Sequence, residues 1–131
     1  MTPRTRRRDQ NGGAIVELVL TVPVLIFMIM LVVQFGLYWH ATHVAQAAAQ
    51  EGVRAARVVD GTAEAGRDRA RTFVATAAPT LLHDIAITAT RETQTATVRV
   101  HATVQAVVPG LSLPVDVEAR SPTEHFEGRT P

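Results

Sequence analysis

The sequence contains no cysteine, no lysine and few aromatic residues. The absence of cysteine restricts the chemistry of the chain, and the shortage of aromatic residues restricts its core. Without cysteine, the 131 residues offer no disulfide framework, no thiolate nucleophile and no zinc-thiolate site. Aromatic residues make up 5% of the chain and hydrophobic residues 47%, so a core outside a membrane is built from Ala, Val, Leu and Ile. At this length such a core supports one domain of marginal stability.

Charge is unevenly distributed, although the formal net charge is only +1. The first dozen residues carry about +3, from Arg4, Arg6, Arg7 and Arg8 against Asp9, and the remainder carries about −2. A chain whose main part has no basic excess lacks the electrostatic footprint of a nucleic-acid-binding protein. We therefore expect no nucleic-acid partner.

From Leu18 to Trp39 the chain has no charged residue. As a helix rising about 1.5 Å per residue, this run reaches about 33 Å, which is close to the thickness of a bilayer core. Gln34 is a strongly polar residue within it, and Tyr38 and Trp39 close it, as amphipathic rings do at a membrane interface. A buried core helix would need a larger globule than this chain provides, so the run predicts one transmembrane helix.

The arginines predict the orientation of that helix. Four precede the span closely, whereas the first charges after it are Glu51, Arg54 and Arg57. The positive-inside bias therefore places the N-terminus in the cytoplasm and the C-terminal part outside. A secretory signal peptide is the alternative, but its apolar stretch is usually about 7–15 residues. Small-residue cleavage sites such as Ala45-Gln46-Ala47 also lie inside a predicted helix.

The entrance to the span, RRRDQNGGAIVELVLTVP, is the most specific feature of the sequence. Gly12 and Gly13 end the polar leader, and a single carboxylate, Glu17, stands between them and the uncharged run. A carboxylate in hydrocarbon is unfavourable by a few kcal/mol or more, so it needs a partner or a route to the interface. One alternative is that Glu17 lies in the first helical turn, where the helix dipole favours an anion.

This junction resembles the class III signal sequence of the type IV pilin superfamily. In that family a prepilin peptidase cuts after a glycine, and a glutamate is the fifth residue of the mature chain. Cleavage of the Gly12–Gly13 bond makes Gly13 the N-terminus and Glu17 the fifth residue. The ammonium group of one subunit is then expected to pair with Glu17 of its neighbour, which fixes the register of stacked helices.

The helical pattern continues beyond Trp39. Small and apolar residues recur at steps of three and four, and polar residues such as Gln46 and Arg54 occupy the other face. Ala48 and Gly52 allow the close approach of another backbone. We expect one helix over residues 14–59, whose stripe packs on the protein's own sheet in the monomer. The stripe consists of Ala41, Val44, Ala45, Ala48, Gly52, Ala55, Ala56 and Val59.

A second helix and three strands are predicted after residue 59. Asp60-Gly61-Thr62 ends the first helix, and Thr62 caps a second over residues 63–78. Alternation with period two then predicts three antiparallel strands, and Pro114 indicates an edge strand or an irregular strand start. The inward residues are Ile85, Ile87 and Ala89, then Ala96, Val98, Val100, Ala102, Val104 and Ala106, then Leu113, Val115, Val117 and Ala119.

The predicted fold class is α+β, with a long N-terminal transmembrane-plus-amphipathic helix, a second short helix and a three-stranded antiparallel sheet, in a pilin-like arrangement. We divide the chain into a cytoplasmic basic leader (1–12), a transmembrane helix (13–40), an extracytoplasmic domain (41–120) and a flexible tail (121–131).

About 110 residues of this layout resemble the TadE-like proteins, minor pilin-like components of tight-adherence (Flp) pilus systems. The resemblance is carried by GGAIVELVLTVPVLIFMIMLVVQFGLYW and by AAAQEGVRAARV, residues 47–58. It implies a role in pilus assembly at the bacterial cytoplasmic membrane. The implied partners are other pilin-like subunits, the inner-membrane assembly platform, prepilin peptidase and the lipid bilayer. His40 and Thr42 depart from the family pattern after the span, which leaves the subfamily open.

Catalysis is not indicated by any motif. His40 and His43 share a helix face at a spacing that suits a metal, but neither an acid nor a third histidine accompanies them. The sequence has no glycine-rich phosphate loop and no nucleophile elbow. We expect a non-enzyme without cofactor, metal or small-molecule substrate. Two alternatives stay open: an uncleaved membrane-anchored accessory subunit of a secretion or cell-envelope complex, and a domain released by signal peptidase.

Overall fold

The computed structural model describes residues 10–124, with side chains from Gly12 onward. Two helices precede three strands, and the antiparallel sheet has the order β1-β2-β3. The α+β fold class is therefore confirmed. The leader arginines Arg4, Arg6, Arg7 and Arg8 lie outside the described residues, as does the tail over 125–131. The elements are α1 (Gln10–Arg57), α2 (Ala63–Ala77), β1 (Leu82–Arg91), β2 (Thr95–Val104) and β3 (Leu113–Pro122).

α1 is one continuous helix with two different environments along its length. Its 48 residues reach about 72 Å at 1.5 Å per residue. From Ile15 to Phe35 its large hydrophobic side chains are mostly exposed, and we call residues 14–39 the shaft. Within the described residues, α1 is the one helix long and apolar enough to cross a membrane. Pro23 lies inside it without ending it.

Beyond the shaft, α1 packs into the head, which we define as residues 41–124. Its small-residue stripe lies against α2 and the inner face of the sheet from Ala41 to Ala56, with Ala41, Ala45 and Ala48 fully buried. Val59, which we predicted on the stripe, lies beyond the end of α1 and is 50% exposed. α2 begins where predicted, because the Thr62 hydroxyl accepts a hydrogen bond of 3.0 Å from the Ala65 amide. The core is thus an alanine-rich and valine-rich layer between two helices and a sheet.

The alternation of buried and exposed residues predicted for β2 is present, but it ends at Val104 and not at Ala106. Ala96, Val98, Val100, Ala102 and Val104 are all buried. The strand stops at Val104, so Ala106, which we predicted on the inner face, is exposed in the following loop. β3 is an edge strand, which is one of the two alternatives that Pro114 indicated.

β1 departs from simple alternation because it contains an irregularity near its start. The register with β2 shifts between His83 and Ala86, and Asp84 has a φ of 50°. The inserted residue places Leu82 in the core at 3% exposure and leaves Ile85, predicted to face inward, 40% exposed. Ile87 and Ala89 beyond the bulge face the core as predicted.

The chain after β3 returns to the end of α1. β3 continues to Pro122, beyond the predicted start of the tail at residue 121. The Thr123 amide donates to the Gln94 carbonyl at 3.1 Å, and its hydroxyl donates to the Thr93 carbonyl at 2.7 Å. The Glu124 amide donates to the Arg57 carbonyl at 3.0 Å. Residues 121–124 are therefore held in the head by the sheet and by these bonds.

Candidate functional site

The glycine pair of the leader junction lies in the first turn of α1. The described part of the helix includes Gln10, four residues before the start that we predicted. Gly12 and Gly13 are both exposed, and a Cβ added at either meets no described atom within 4 Å. A glycine weakens a helix by up to about 1 kcal/mol relative to alanine. The Gly12–Gly13 bond therefore lies in a weak and accessible turn.

In the uncleaved chain, Glu17 lies beyond the first turn of α1. It lies seven residues after Gln10, about 10 Å along the axis, whereas the dipole acts mainly within the first turn. It is exposed between Val16 and Leu18, which are 59% and 62% exposed. Within residues 10–124 we find no hydrogen bond or ion pair to its carboxylate. Glu17 is thus an isolated carboxylate on an apolar surface.

The aromatic end of the shaft holds Tyr38 and Trp39. Tyr38 is half-buried against the core, and Trp39 is 62% exposed. The rings of Trp39 and His43 lie 4.8 Å apart, and His43 Nδ1 donates to the Trp39 carbonyl at 2.8 Å. His43 is therefore engaged with its own helix. His40 is exposed one turn before it.

The second motif, AAAQEGVRAARV, forms the crossing between α1 and α2. A Cβ added at Gly52 would lie 2.7 Å from the carbonyl oxygen of Gly66 in α2. Glu51 joins the helices at the surface, because its carboxylate lies 3.1 Å from Arg54 and 3.4 Å from Arg69 of α2. The close backbone approach expected at Ala48 and Gly52 is thus made within one molecule. Ala48 and Ala56 are fully buried there, and Ala55 is half-buried.

Gln34 is the functional candidate whose role the sequence did not reveal. It is 2% exposed, although it lies in the shaft. Its Oε1 accepts hydrogen bonds from the amides of Val107 and Val108, at 2.6 and 3.3 Å. Its Nε2 donates to the Gln105 carbonyl at 3.2 Å. One side chain therefore attaches the shaft to residues 105–112, which we call the β2–β3 loop.

The β2–β3 loop has a defined conformation. The Leu111 amide donates to the Val108 carbonyl at 3.2 Å, and Gly110 has a φ of 79°. With Pro109 at the second position, this is a type II turn, which needs positive φ at its third residue. Between loop and shaft lies an apolar cleft of about 300 Å³. The cleft is lined by Leu31, Gln34, Phe35, Tyr38, Leu111 and Leu113.

The outer face of the sheet is polar and bears exposed ion pairs. Arg99 Nε lies 2.9 Å from Asp116, and Arg120 pairs with Glu118. Exposed pairs of this kind contribute little to stability, about 0–1 kcal/mol each. Across residues 10–124, no three His, Asp or Glu side chains form a group that could hold a metal ion.

Comparison with known proteins gives a family match for the N-terminal part of the chain. Residues 12–54 match the family model of the TadE-like proteins, and they make up about a third of the chain. No curated protein and no solved structure matches the chain. The matched stretch runs from Gly12 through Glu17 and the shaft to Arg54 at the α1–α2 crossing. The resemblance to TadE-like proteins is therefore confirmed for the long helix that carries the glycine junction, the shaft and the crossing.

Proposed function

We propose that this protein is a minor pilin-like membrane protein that acts in the assembly of a tight-adherence (Flp) pilus. The observation that carries the proposal is the TadE-like helix itself. It joins a glycine junction, an isolated carboxylate and a bare apolar shaft to a folded head. Its work is structural rather than catalytic, and its partners are other pilin-like subunits, the inner-membrane assembly platform and prepilin peptidase.

The shaft anchors the protein in the bacterial cytoplasmic membrane. Its side chains are too apolar and too exposed for water, since a contiguous apolar surface of this size marks a membrane or protein contact. The arginine-rich leader stays in the cytoplasm, and the head lies on the outer side. The span ends at the aromatic pair, Tyr38 and Trp39.

Cleavage of the Gly12–Gly13 bond gives Glu17 its role. The new ammonium group lies four residues, about 6 Å, before Glu17 on the same helix. When helices stack with a stagger, the ammonium of one subunit meets Glu17 of the next. Pairing removes the unfavourable isolated carboxylate in hydrocarbon and fixes the register of the stack. Ala48, Gly52 and Ala56 are already used within the head, which leaves the shaft for contacts between subunits.

Glu17→Ala tests this assignment. We expect the variant to insert into the membrane like the wild type, because an apolar residue replaces a charge in the shaft. Co-purification with partner pilins and the number of pili per cell should both fall strongly, since the pairing carboxylate is gone. Glu64→Ala is the matched control, because Glu64 is an exposed carboxylate at the start of α2 and far from the shaft. Normal assembly by the Glu17 variant would show that the pairing role is wrong.

The second candidate is an uncleaved accessory subunit of a secretion or cell-envelope complex. One observation favours it: α1 already runs through both glycines to Gln10, so the anchor is complete with the leader attached. Both candidates use the same shaft and the same head. They differ in whether the N-terminal residue of the protein in cells is Gly13.

A further inference from the structure

We propose that the β2–β3 loop, residues 105–112, inserts into the outer interface of the bilayer that α1 crosses and forms a second membrane contact. This inference rests on the membrane anchor proposed above. Its basis is the attachment of the loop to Gln34, a buried glutamine in a shaft whose large hydrophobic side chains are mostly exposed. The partner is the lipid of the same membrane, at the boundary between headgroups and acyl chains.

The position of Gln34 sets the depth of the loop. A hydrocarbon core of about 20 helical residues ends at Val33 if it begins at Ala14, or at Leu37 if it begins at Leu18. Trp39, the interface marker, lies five residues or about 7.5 Å beyond Gln34. The amides of Val107 and Val108 lie within 3.3 Å of the Gln34 oxygen. Under either boundary the loop is therefore at the membrane interface.

The composition of the loop suits that position. The chain has no charged residue from Ala102 to Val115. Val107 is 37% exposed, and Ala106, Pro109 and Gly110 are exposed beside it. These residues form an exposed apolar tip on the loop that Gln34 attaches to the shaft. An uncharged apolar tip enters the acyl region without the desolvation penalty that a charged loop would meet.

Part of the loop backbone finds its hydrogen-bond partners within the protein. Irregular backbone is tolerated at membrane depth where its polar groups find partners in the protein. Gln34 accepts hydrogen bonds from the amides of Val107 and Val108 and donates one to the carbonyl of Gln105. The Gln105 amide donates to the Leu81 carbonyl, the Leu111 amide donates within the turn, and Pro109 has no amide hydrogen. We call these three hydrogen bonds of Gln34 the clasp, because they hold an irregular loop at this depth in the membrane.

Site-directed spin labelling of the full chain tests the proposal, and the absence of cysteine allows single labels without background. Labels are attached after Val107→Cys in the loop, Val32→Cys in the shaft and Thr90→Cys on the outer face of the sheet. Val32 is 72% exposed, and Thr90 is exposed in the head. The protein is reconstituted in liposomes of phosphatidylethanolamine and phosphatidylglycerol. Power-saturation EPR then measures collision of each label with oxygen, which enters lipid, and with a water-soluble nickel chelate.

We expect position 107 to resemble position 32, with frequent oxygen collisions and few nickel collisions, while position 90 shows the reverse. A loop label that collides with nickel as often as position 90, beside a lipid-exposed position 32, would overturn the inference and leave the anchor intact. Protection of the loop from both reagents would overturn it as well, because it would indicate contact with a second protein subunit. Aqueous exposure at position 32 would instead refute the anchor itself, and with it the inference.

Discussion

Replacing Gly52 with alanine is expected to destabilise the head by about 1–3 kcal/mol, the usual range for inserting a methyl group into a well-packed contact. The added Cβ would lie 2.7 Å from the Gly66 carbonyl oxygen and 3.1 Å from both the Ala70 Cβ and a Val98 methyl carbon. A backbone oxygen cannot rotate away as a flexible side chain can. α1 and α2 must therefore separate, which loosens their packing over the sheet. Thermal unfolding of the full chain in detergent micelles, followed by circular dichroism, measures the loss.

Gly36→Ala is the matched control for that experiment. Gly36 lies in the same helix, and a Cβ added there meets nothing within 4 Å. Alanine in a helix interior is favoured over glycine by about 0.5–1 kcal/mol, so this variant should be at least as stable as the wild type. Equal stability of the Gly52 and Gly36 variants would contradict the close helix crossing.

Replacing Gln34 with leucine is expected to release the β2–β3 loop from the shaft. The substitution removes the partners of two backbone amides and one carbonyl, in a site where Gln34 is 2% exposed. Leaving a buried polar group without a partner is unfavourable by about 1–3 kcal/mol. Since 1.4 kcal/mol corresponds to a factor of ten, hydrogen exchange at the Val107 and Val108 amides should accelerate by about five- to 100-fold.

Exchange at other amides distinguishes local release from general unfolding. The amide of Val100, in the centre of β2, should exchange at its wild-type rate if only the loop opens. Gln46→Leu is the matched control variant, because Gln46 lies exposed on the same helix. Exchange at Val107 and Val108 that is as slow in the Gln34 variant as in this control would show that the clasp contributes nothing.

Much of the fold could be predicted from local patterns. The buried alternation of β2 from Ala96 to Val104 and the cap at Thr62 follow from residue types at short spacing. The resemblance to the TadE-like family also rests on local segments, and the family match over residues 12–54 covers the first of them and residues 47–54 of the second. These features are determined by neighbours within a few residues, which a single sequence displays directly.

The bulge in β1 and the clasp at Gln34 could not be predicted in this way. Simple alternation placed Ile85 in the core, because nothing in the sequence marks Asp84 as the residue of positive φ that shifts the register. Gln34 was visible as a polar residue in an apolar run, but its partners lie 71 to 74 residues away. Tertiary packing brings them together. The uncharged stretch around Pro109 and Gly110 was the one available signal.

The position of Glu17 is described by the structure, but its proposed pairing role depends on a second subunit. In the uncleaved chain it lies about 10 Å beyond Gln10 on an exposed helix, and cleavage at the Gly12–Gly13 bond would leave it about 6 Å from the new N-terminus. Its proposed partner is the ammonium group of another subunit. That group exists only after cleavage, so the pairing depends on how the chain is processed.

The intact mass and N-terminal residue of the protein recovered from cells test the account most directly. We predict that the mature chain begins at Gly13, with Glu17 fifth, and that the leader is retained in cells without prepilin peptidase. A leader that is present in both strains would contradict cleavage and favour the anchored accessory subunit. A chain that begins beyond the shaft, near Ala48, would contradict the membrane anchor as well.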